Sequence, residues 1–398
     1  MNITNLLAER TNRMSGSIIR EILKATADSR LISLAGGLPA AETFPIETIH
    51  ELHQIIVKKY GPSLFQYGPT EGFTPFREAI VDYVKRRHIV AKMEEIFITS
   101  GSQGALDAVG KICINKGDRV AVESPTYLGA LSAFNPYEPE YVEIETDAEG
   151  IVPESLEEIL KTQKVKFTYL NPTFQNPTGR TLSFKRRKQV AEILKKYDAL
   201  AIEDDPYGEL RYSGIPVPSI KSMAPDQVIY MSTFSKVFAP GFRLGFFVAP
   251  PKLGSWLTIA KQGVDLHTSS YGQALATEYL VGGHLDKQIP QIIALYKPRQ
   301  QALLDALKKH LSWDEFTWTQ PEGGMFVWVE APARFDTEKV YWEAIKQFVA
   351  FVPGVCFYAK QDRSFSTMRL NFTNVNEATI SAAVEKIAQV FKNFEKTV

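Results

Sequence analysis

The chain has 398 residues, 44% apolar and 23% charged, a globular composition that excludes a disordered chain. Lys plus Arg and Asp plus Glu each number 45, so the formal charge is zero and the basic surplus of a nucleic-acid binder is missing. Cys113 and Cys356 make no disulfide framework, and His50 and His53 are the only close pair among six histidines, so buried apolar thiols and no metal site are expected.

The start, Met1-Asn2-Ile3-Thr4-Asn5, soon reaches Glu9, Arg10 and Arg13 without an apolar core of signal-peptide length. No run of about 18 apolar residues follows, so no membrane span and a cytoplasmic location are expected. Residues 1–45 have no sheet pattern of their own and are expected to pack as an arm. The middle of the chain then alternates between strand-like and helix-like segments. Glu95–Thr99 reads as a strand, Gly104–Ile114 as a helix and Arg119–Glu123 as a strand. Phe167–Asn171 is strand-like and Phe184–Tyr197 helical, with the run Lys185-Arg186-Arg187-Lys188 expected on a solvated face. Leu200–Asp204, Val228–Ser232 and Arg243–Ala249 complete the strands. This alternation predicts an α/β domain with a mostly parallel sheet. From Tyr271 to Leu311 the pattern is helical, with Pro290 and Pro298 expected to start or kink turns. Strands Met325–Glu330 and Met368–Phe372, with helices Glu338–Phe348 and Glu377–Phe391, predict a smaller α+β domain. The expected division is 1–45 as N-terminal arm and part of the small domain, 46–290 as large domain and 291–398 as C-terminal small domain.

In open α/β sheets, ligands bind beyond the carboxyl ends of the strands, so the polar residues just after the strands are the candidates. Thr99-Ser100-Gly101-Ser102-Gln103-Gly104 opens a helix with free N–H groups and a positive dipole end, which suit a phosphate. An ordinary helix cap explains the same stretch, and it matches neither a P-loop nor a dinucleotide fingerprint. Glu203-Asp204-Asp205-Pro206-Tyr207 ends an apolar strand, where a carboxylate could cap a helix, bind a metal or hold a pyridine nitrogen protonated. Ser232-Thr233-Phe234-Ser235-Lys236, with Arg243 seven residues on, places an amine among hydroxyls and a guanidinium that forks onto phosphate. Asn171-Pro172-Thr173-Phe174-Gln175-Asn176-Pro177-Thr178-Gly179 reads as turn chemistry whose second Asn-Pro is the specific part.

In this order and spacing, these motifs resemble the fold-type I pyridoxal 5′-phosphate (PLP) enzymes of the class I/II aminotransferase group, over essentially the whole chain. The finer resemblance is to the branch with 2-aminoadipate aminotransferase, kynurenine aminotransferase II and multi-substrate aromatic or branched-chain enzymes. It rests on Ser17–Leu23, Ser33–Pro39, Gln66–Gly72, Phe174–Gly179 and Gly323–Trp328. The resemblance implies a large domain with a mostly parallel seven-stranded sheet flanked by helices, plus a smaller α+β domain. It implies Lys236 as the lysine that holds PLP and shuttles the proton, Asp204 as partner of the ring nitrogen, and Tyr127 stacked on the ring. Asn176 and Tyr207 would bond the ring hydroxyl oxygen, and Ser102, Gln103, Thr233, Ser235 and Arg243 would hold the phosphate. Thr233 stands where the family more often has Ser, and Phe242 replaces a commoner Leu. Tyr67 would reach the phosphate of a second subunit, which implies a homodimer with shared sites. Arg369 would grip the substrate α-carboxylate, with Asn176, Gly36 and Gly37 lining the pocket, and Arg20 matches the position that meets a distal carboxylate. The implied reaction moves an amino group from an L-amino acid (2-aminoadipate, glutamate, aromatic or branched-chain) to a 2-oxo acid such as 2-oxoglutarate. A PLP-dependent lyase or decarboxylase, and the ligand-sensing domain of a transcription regulator, are the alternatives.

Overall fold

The computed structural model describes residues 6–14, 30–313, 315–361 and 365–395. The expectations for Arg20 and for the motif Ser17–Leu23 lie outside the described residues.

Seven strands form the main sheet. From edge to edge they are Ile96–Ser100, Leu244–Val248, Val228–Thr233, Ala201–Asp204, Val165–Leu170, Arg119–Glu123 and Glu140–Ile144. Only Leu244–Val248 runs antiparallel to its neighbours; the other pairs are parallel. Both faces of the inner strands are covered, Phe246 by one apolar cluster and Phe247 by another, so Val228–Thr233 and Leu244–Val248 are buried at every residue. The strand Glu140–Ile144 is not among those predicted. It lies at the sheet edge, and in Glu-Tyr-Val-Glu-Ile only Tyr141 and Val142 are adjacent without a charge, a run too short to read.

A second, four-stranded antiparallel sheet is ordered Thr317–Trp318, Phe326–Glu330, Thr367–Asn371, Val352–Pro353. Helix Glu377–Glu395 packs on helices His284–His310 and Thr337–Lys346 and buries Ile380, Val384, Ile387 and Phe391, spaced three or four residues apart on one face. The helical stretch after Tyr271 is two helices, Ser270–Val281 and His284–His310, separated by Gly282-Gly283. Pro290 and Pro298 both lie inside the second helix. Its buried face, including Ile292, Tyr296, Leu303 and Leu307, outweighs the N–H groups the prolines lack. The expected change of domain near residue 290 falls inside this helix. One apolar cluster runs from Leu52 and Ile56 through Phe246 to Trp328 and Ile387, so both sheets share a core.

Residues 1–45 are not free of sheet structure: Ile32–Ser33 pairs in parallel with Val349–Ala350, which docks this part of the arm beside the second sheet. The basic run is also only partly solvated. Arg187 is 1% exposed and donates to the carbonyls of Leu182, Pro172 and Pro218 and to Thr173 Oγ1. Helical periodicity turns every third or fourth residue inward, so a run of four basic residues cannot lie on one face. Cys113 and Cys356 are free and half-buried rather than buried. Desolvation pushes their thiols up to about 11 and about 12. Among the described residues no helix is long and apolar enough to cross a membrane, and no three His, Cys, Asp or Glu side chains gather to hold a metal.

Candidate active site

A cavity of about 270 Å³ opens at the carboxyl ends of the central strands. Ser102, Gln103, Tyr127, Asn176, Asp204, Tyr207, Thr233, Ser235, Lys236 and Arg243 line it, all of them singled out from the sequence. Asn171 and Pro206 also line it, without a role expected from the sequence.

Asp204 ends strand Ala201–Asp204 and is 2% exposed. Its Oδ2 accepts the Tyr169 hydroxyl at 2.8 Å, whereas Oδ1 is buried without a partner. Desolvation pushes the carboxyl up to about 7, against the Tyr169 hydrogen bond, which lowers it, and with the charge of Asp205, which adds to the rise. A buried unpaired acceptor is costly, so this oxygen calls for a donor from the cavity.

Lys236 sits in a single 3-10 turn, Phe234–Lys236, directly after strand Val228–Thr233. Thr233 Oγ1 caps the turn by accepting the Ser235 N–H at 3.2 Å. The lysine ammonium donates to Gly37 O at 2.9 Å. Desolvation lowers its pKa to about 8, and the nearby cations Arg369 and Arg243 add to the effect.

Arg243 lies over the N-terminus of helix Gly101–Cys113, where a Cβ on Gly101 would fall 2.4 Å from its Nη2. Gly101 has φ +74 and only glycine leaves this space. Free helix N–H groups, the guanidinium and the hydroxyls of Ser102, Thr233 and Ser235 thus gather at one end of the cavity. Gln103 gives one amide N–H to Gly129 O at 2.8 Å, which leaves the other free. Tyr127 packs against Gly129, where a Cβ would come within 2.3 Å of the ring.

Asn176 is a junction. Its Nδ2 donates to Tyr207 Oη at 3.2 Å and its Oδ1 accepts Arg369 Nη1 at 2.7 Å. Arg369 is buried on strand Thr367–Asn371, donates from Nη2 to Ala35 O at 2.6 Å, and is sandwiched with its Cζ 4.1 Å from the Phe326 ring centroid and 5.0 Å from that of Phe357. Gly37 faces Phe326, whose Cζ would lie 2.9 Å from a Cβ there. Tyr67 does not line the cavity of its own chain; it is 78% exposed and meets His267 edge-on at 5.8 Å.

This donor and acceptor set fits PLP. The unpaired Asp204 oxygen matches a ring N–H, Lys236 offers the amine, and the Arg243 end offers the phosphate cradle. Sequence reasoning missed Tyr169, Glu123 and Asn171 as supports of the site. Tyr169 lies within its strand, where a polar tip gives no separate signal, whereas Glu123 ends its strand and faces Asn171 rather than the cavity.

The family model for aminotransferase class I and II matches residues 30–387. Aromatic-amino-acid aminotransferase 1 of Thermococcus litoralis is 48% identical over 392 residues, covering 97% of this chain and 94% of the relative. The crystal structure of a kynurenine aminotransferase of Pyrococcus horikoshii, in complex with PMP and kynurenine, is similar at TM-score 0.94 and 46% identity, covering 99% of this chain and 98% of that one. An alpha-aminoadipate aminotransferase of Thermus thermophilus, complexed with N-(5′-phosphopyridoxyl)-L-leucine, is similar at TM-score 0.93 and 35% identity over 100% of both chains.

Proposed function

The chain belongs to the class I and II aminotransferases, fold-type I enzymes that depend on pyridoxal 5′-phosphate, and from that premise we propose how its own residues share the reaction. The family match and the relatives support amino transfer over the lyase, decarboxylase and ligand-sensing alternatives.

When bound, the cofactor supplies an aldehyde that condenses with amines and a protonated ring that accepts electron density. Lys236 holds it. Lys236 Nζ, freed when the substrate amine takes its place, would take up and return the proton of the substrate α-carbon. Asp204 Oδ1 keeps the ring nitrogen protonated by a charge-assisted hydrogen bond. Tyr127 stacks on the ring, and Asn176 and Tyr207 donate to the ring hydroxyl oxygen. Ser102, Gln103, Thr233, Ser235 and Arg243 hold the phosphate. Arg369 forks onto the substrate α-carboxylate, with Asn176 beside it and Gly36 and Gly37 leaving room for backbone contact. One site serves both half-reactions, so the kinetics are ping-pong. The observation that carries these roles is the unpaired buried oxygen of Asp204, in the same cavity as Lys236 and Arg243.

The donors we infer are 2-aminoadipate, glutamate and aromatic or branched-chain amino acids, with 2-oxoglutarate as acceptor. The names of the relatives support this range. Arg20 is the residue proposed to read a distal carboxylate. Tyr67, together with Phe65 at 72% exposure, marks a face for a second copy, with Tyr67 completing the partner's phosphate site. The free thiols fit work in the cytoplasm.

The test is the visible spectrum of the PLP-loaded protein before and after L-glutamate alone. Loss of the yellow band with release of 2-oxoglutarate is expected. A yellow protein unmoved by glutamate, 2-aminoadipate, leucine and phenylalanine would sink the donor range. A protein that stays colourless with PLP would sink the site roles.

A further inference from the structure

Asn171 stands one residue beyond strand Val165–Leu170 and is 1% exposed. Three of its hydrogen-bonding groups reach three separate parts of the site. The backbone N–H donates to Glu123 Oε2 at 2.8 Å, at the end of the neighbouring strand Arg119–Glu123. The side-chain Nδ2 donates to Asp204 O at 2.6 Å, at the end of the strand on its other side. The side-chain Oδ1 accepts the Asn176 N–H at 2.6 Å. Asn176 in turn holds Arg369 through Oδ1 and Tyr207 through Nδ2.

We propose that Asn171 is a positioning residue for the reaction, a single buried amide that sets Asp204 and, through Asn176, Arg369, with Glu123 as its anchor. The inference rests on the roles given above to Asp204 and Arg369. The physical reason is the amide itself. A planar carboxamide offers one acceptor and one donor side at a fixed separation, and here each side meets a backbone group of a different element. Aspartate has the same shape and no donor, so it would turn a negative oxygen toward the Asp204 carbonyl. A hydroxyl is too short to span both partners. The surroundings hold the amide still. Gln175 Nε2 donates to Pro125 O at 2.9 Å, and buried Arg187 ties down Pro172 and Thr173 next in the chain. Glu123 is buried, and desolvation raises it to about 7 despite the hydrogen bonds from Asn171 and Gln175, so the anchor need not add a full charge beside Asp204.

The experiment uses the PLP-loaded protein and three variants, Asn171→Ala, Asn171→Asp and Asn171→Ser. Asp204→Asn and Arg369→Lys are the comparators. Three quantities are read: the pH midpoint of the cofactor's visible band, kcat, and KM for L-glutamate. Displacing reacting groups by ~1 Å costs about 100-fold. The Asn171 variants are therefore expected to lower kcat and raise KM together, each about tenfold or more, and to move the band midpoint by about one unit. Asp204→Asn should act chiefly on kcat and the band, and Arg369→Lys chiefly on KM. Asn171 variants that melt earlier but keep kcat and KM within about twofold and leave the midpoint unmoved would overturn the proposal, because a merely structural role predicts that pattern. If Asn171→Ala fails to fold, the near-isosteric Asn171→Asp decides. An unaltered protein that takes up no PLP would overturn the roles of Asp204 and Arg369 themselves, and the proposal with them.

Discussion

The cofactor side of the cavity and the carboxylate side are assembled over different stretches of chain. The cofactor side is made at the carboxyl ends of one sheet. Asp204, Lys236, Thr233 and Ser235 each stand at or within three residues of a strand end. The carboxylate side needs parts that are far apart. Arg369 comes from the second sheet and reaches Ala35 O, 334 residues away in sequence, and Asn176, 193 residues away. Gly37, which accepts the Lys236 ammonium, belongs to the segment that follows the short strand Ile32–Ser33. Strand geometry alone sets the first group, whereas contacts between sheets set the second. A change on the first side should therefore strike the chemistry, and a change on the second should strike substrate binding.

The largest expected effect tests the cofactor side. Lys236→Ala removes the only amine lining the cavity among the described residues. Loss of the proton shuttle alone is worth about 10²–10⁴-fold, and loss of the attachment adds to it, so steady-state turnover should fall to background. The variant should still take up PLP through the Arg243 end, visible as retained cofactor after gel filtration. Normal turnover would break the assignment of this side.

Arg369→Lys tests the other side. The planar fork is lost while the charge stays, and hydrogen bonds to charged groups are worth about 1.5–3 kcal/mol. KM for L-glutamate should rise about tenfold or more, with cofactor affinity unchanged. A cofactor that is lost together with the substrate would show that the two sides are not separable.

The same contrast explains what can be read from the sequence. The main sheet, the helix after Thr99 and the cavity residues of the cofactor side are legible because each is a polar residue or element placed just past an apolar strand. Arg369 carries no such signal. A lone Arg in a strand has an exposed salt bridge as its ordinary reading, and only the family resemblance singles it out. Its aromatic neighbour Phe357 lies in a short 3-10 turn that no periodicity marks. Tyr169 looks like an ordinary strand residue until the parallel register is known. Thr168 then pairs with Ala201 and Tyr169 with Ile202, which brings the Tyr169 hydroxyl to Asp204. Arg187 is hidden by its basic neighbours, since composition does not say which residue of a run faces inward.

The smallest effect joins the two sides. The Lys236 amine is held at about 8, first by desolvation and then by the charges of Arg369 and Arg243, one cation from each side. For a base, a lowered pKa means more neutral amine at a given pH. In the PLP-free protein, an amine-directed reagent should therefore modify Lys236 with a midpoint near 8, where an ordinary lysine has one near 10.5. Peptide mass spectrometry across a pH series reads this directly. Arg369→Leu and Arg243→Leu should each move the midpoint upward by a fraction of a unit, Arg369 by more, because its charge is the larger of the two causes. Desolvation alone keeps the midpoint below that of a free lysine in both variants. A midpoint near 10.5 in the unaltered protein would mean that Lys236 is solvated, and the cavity would then be more open than the burial of Asp204 and Arg369 implies. A midpoint that moves with Arg243 but not with Arg369 would place the carboxylate side out of electrical reach of the amine, and would confine the link between the two sides to the hydrogen bonds of Asn176 and Gly37.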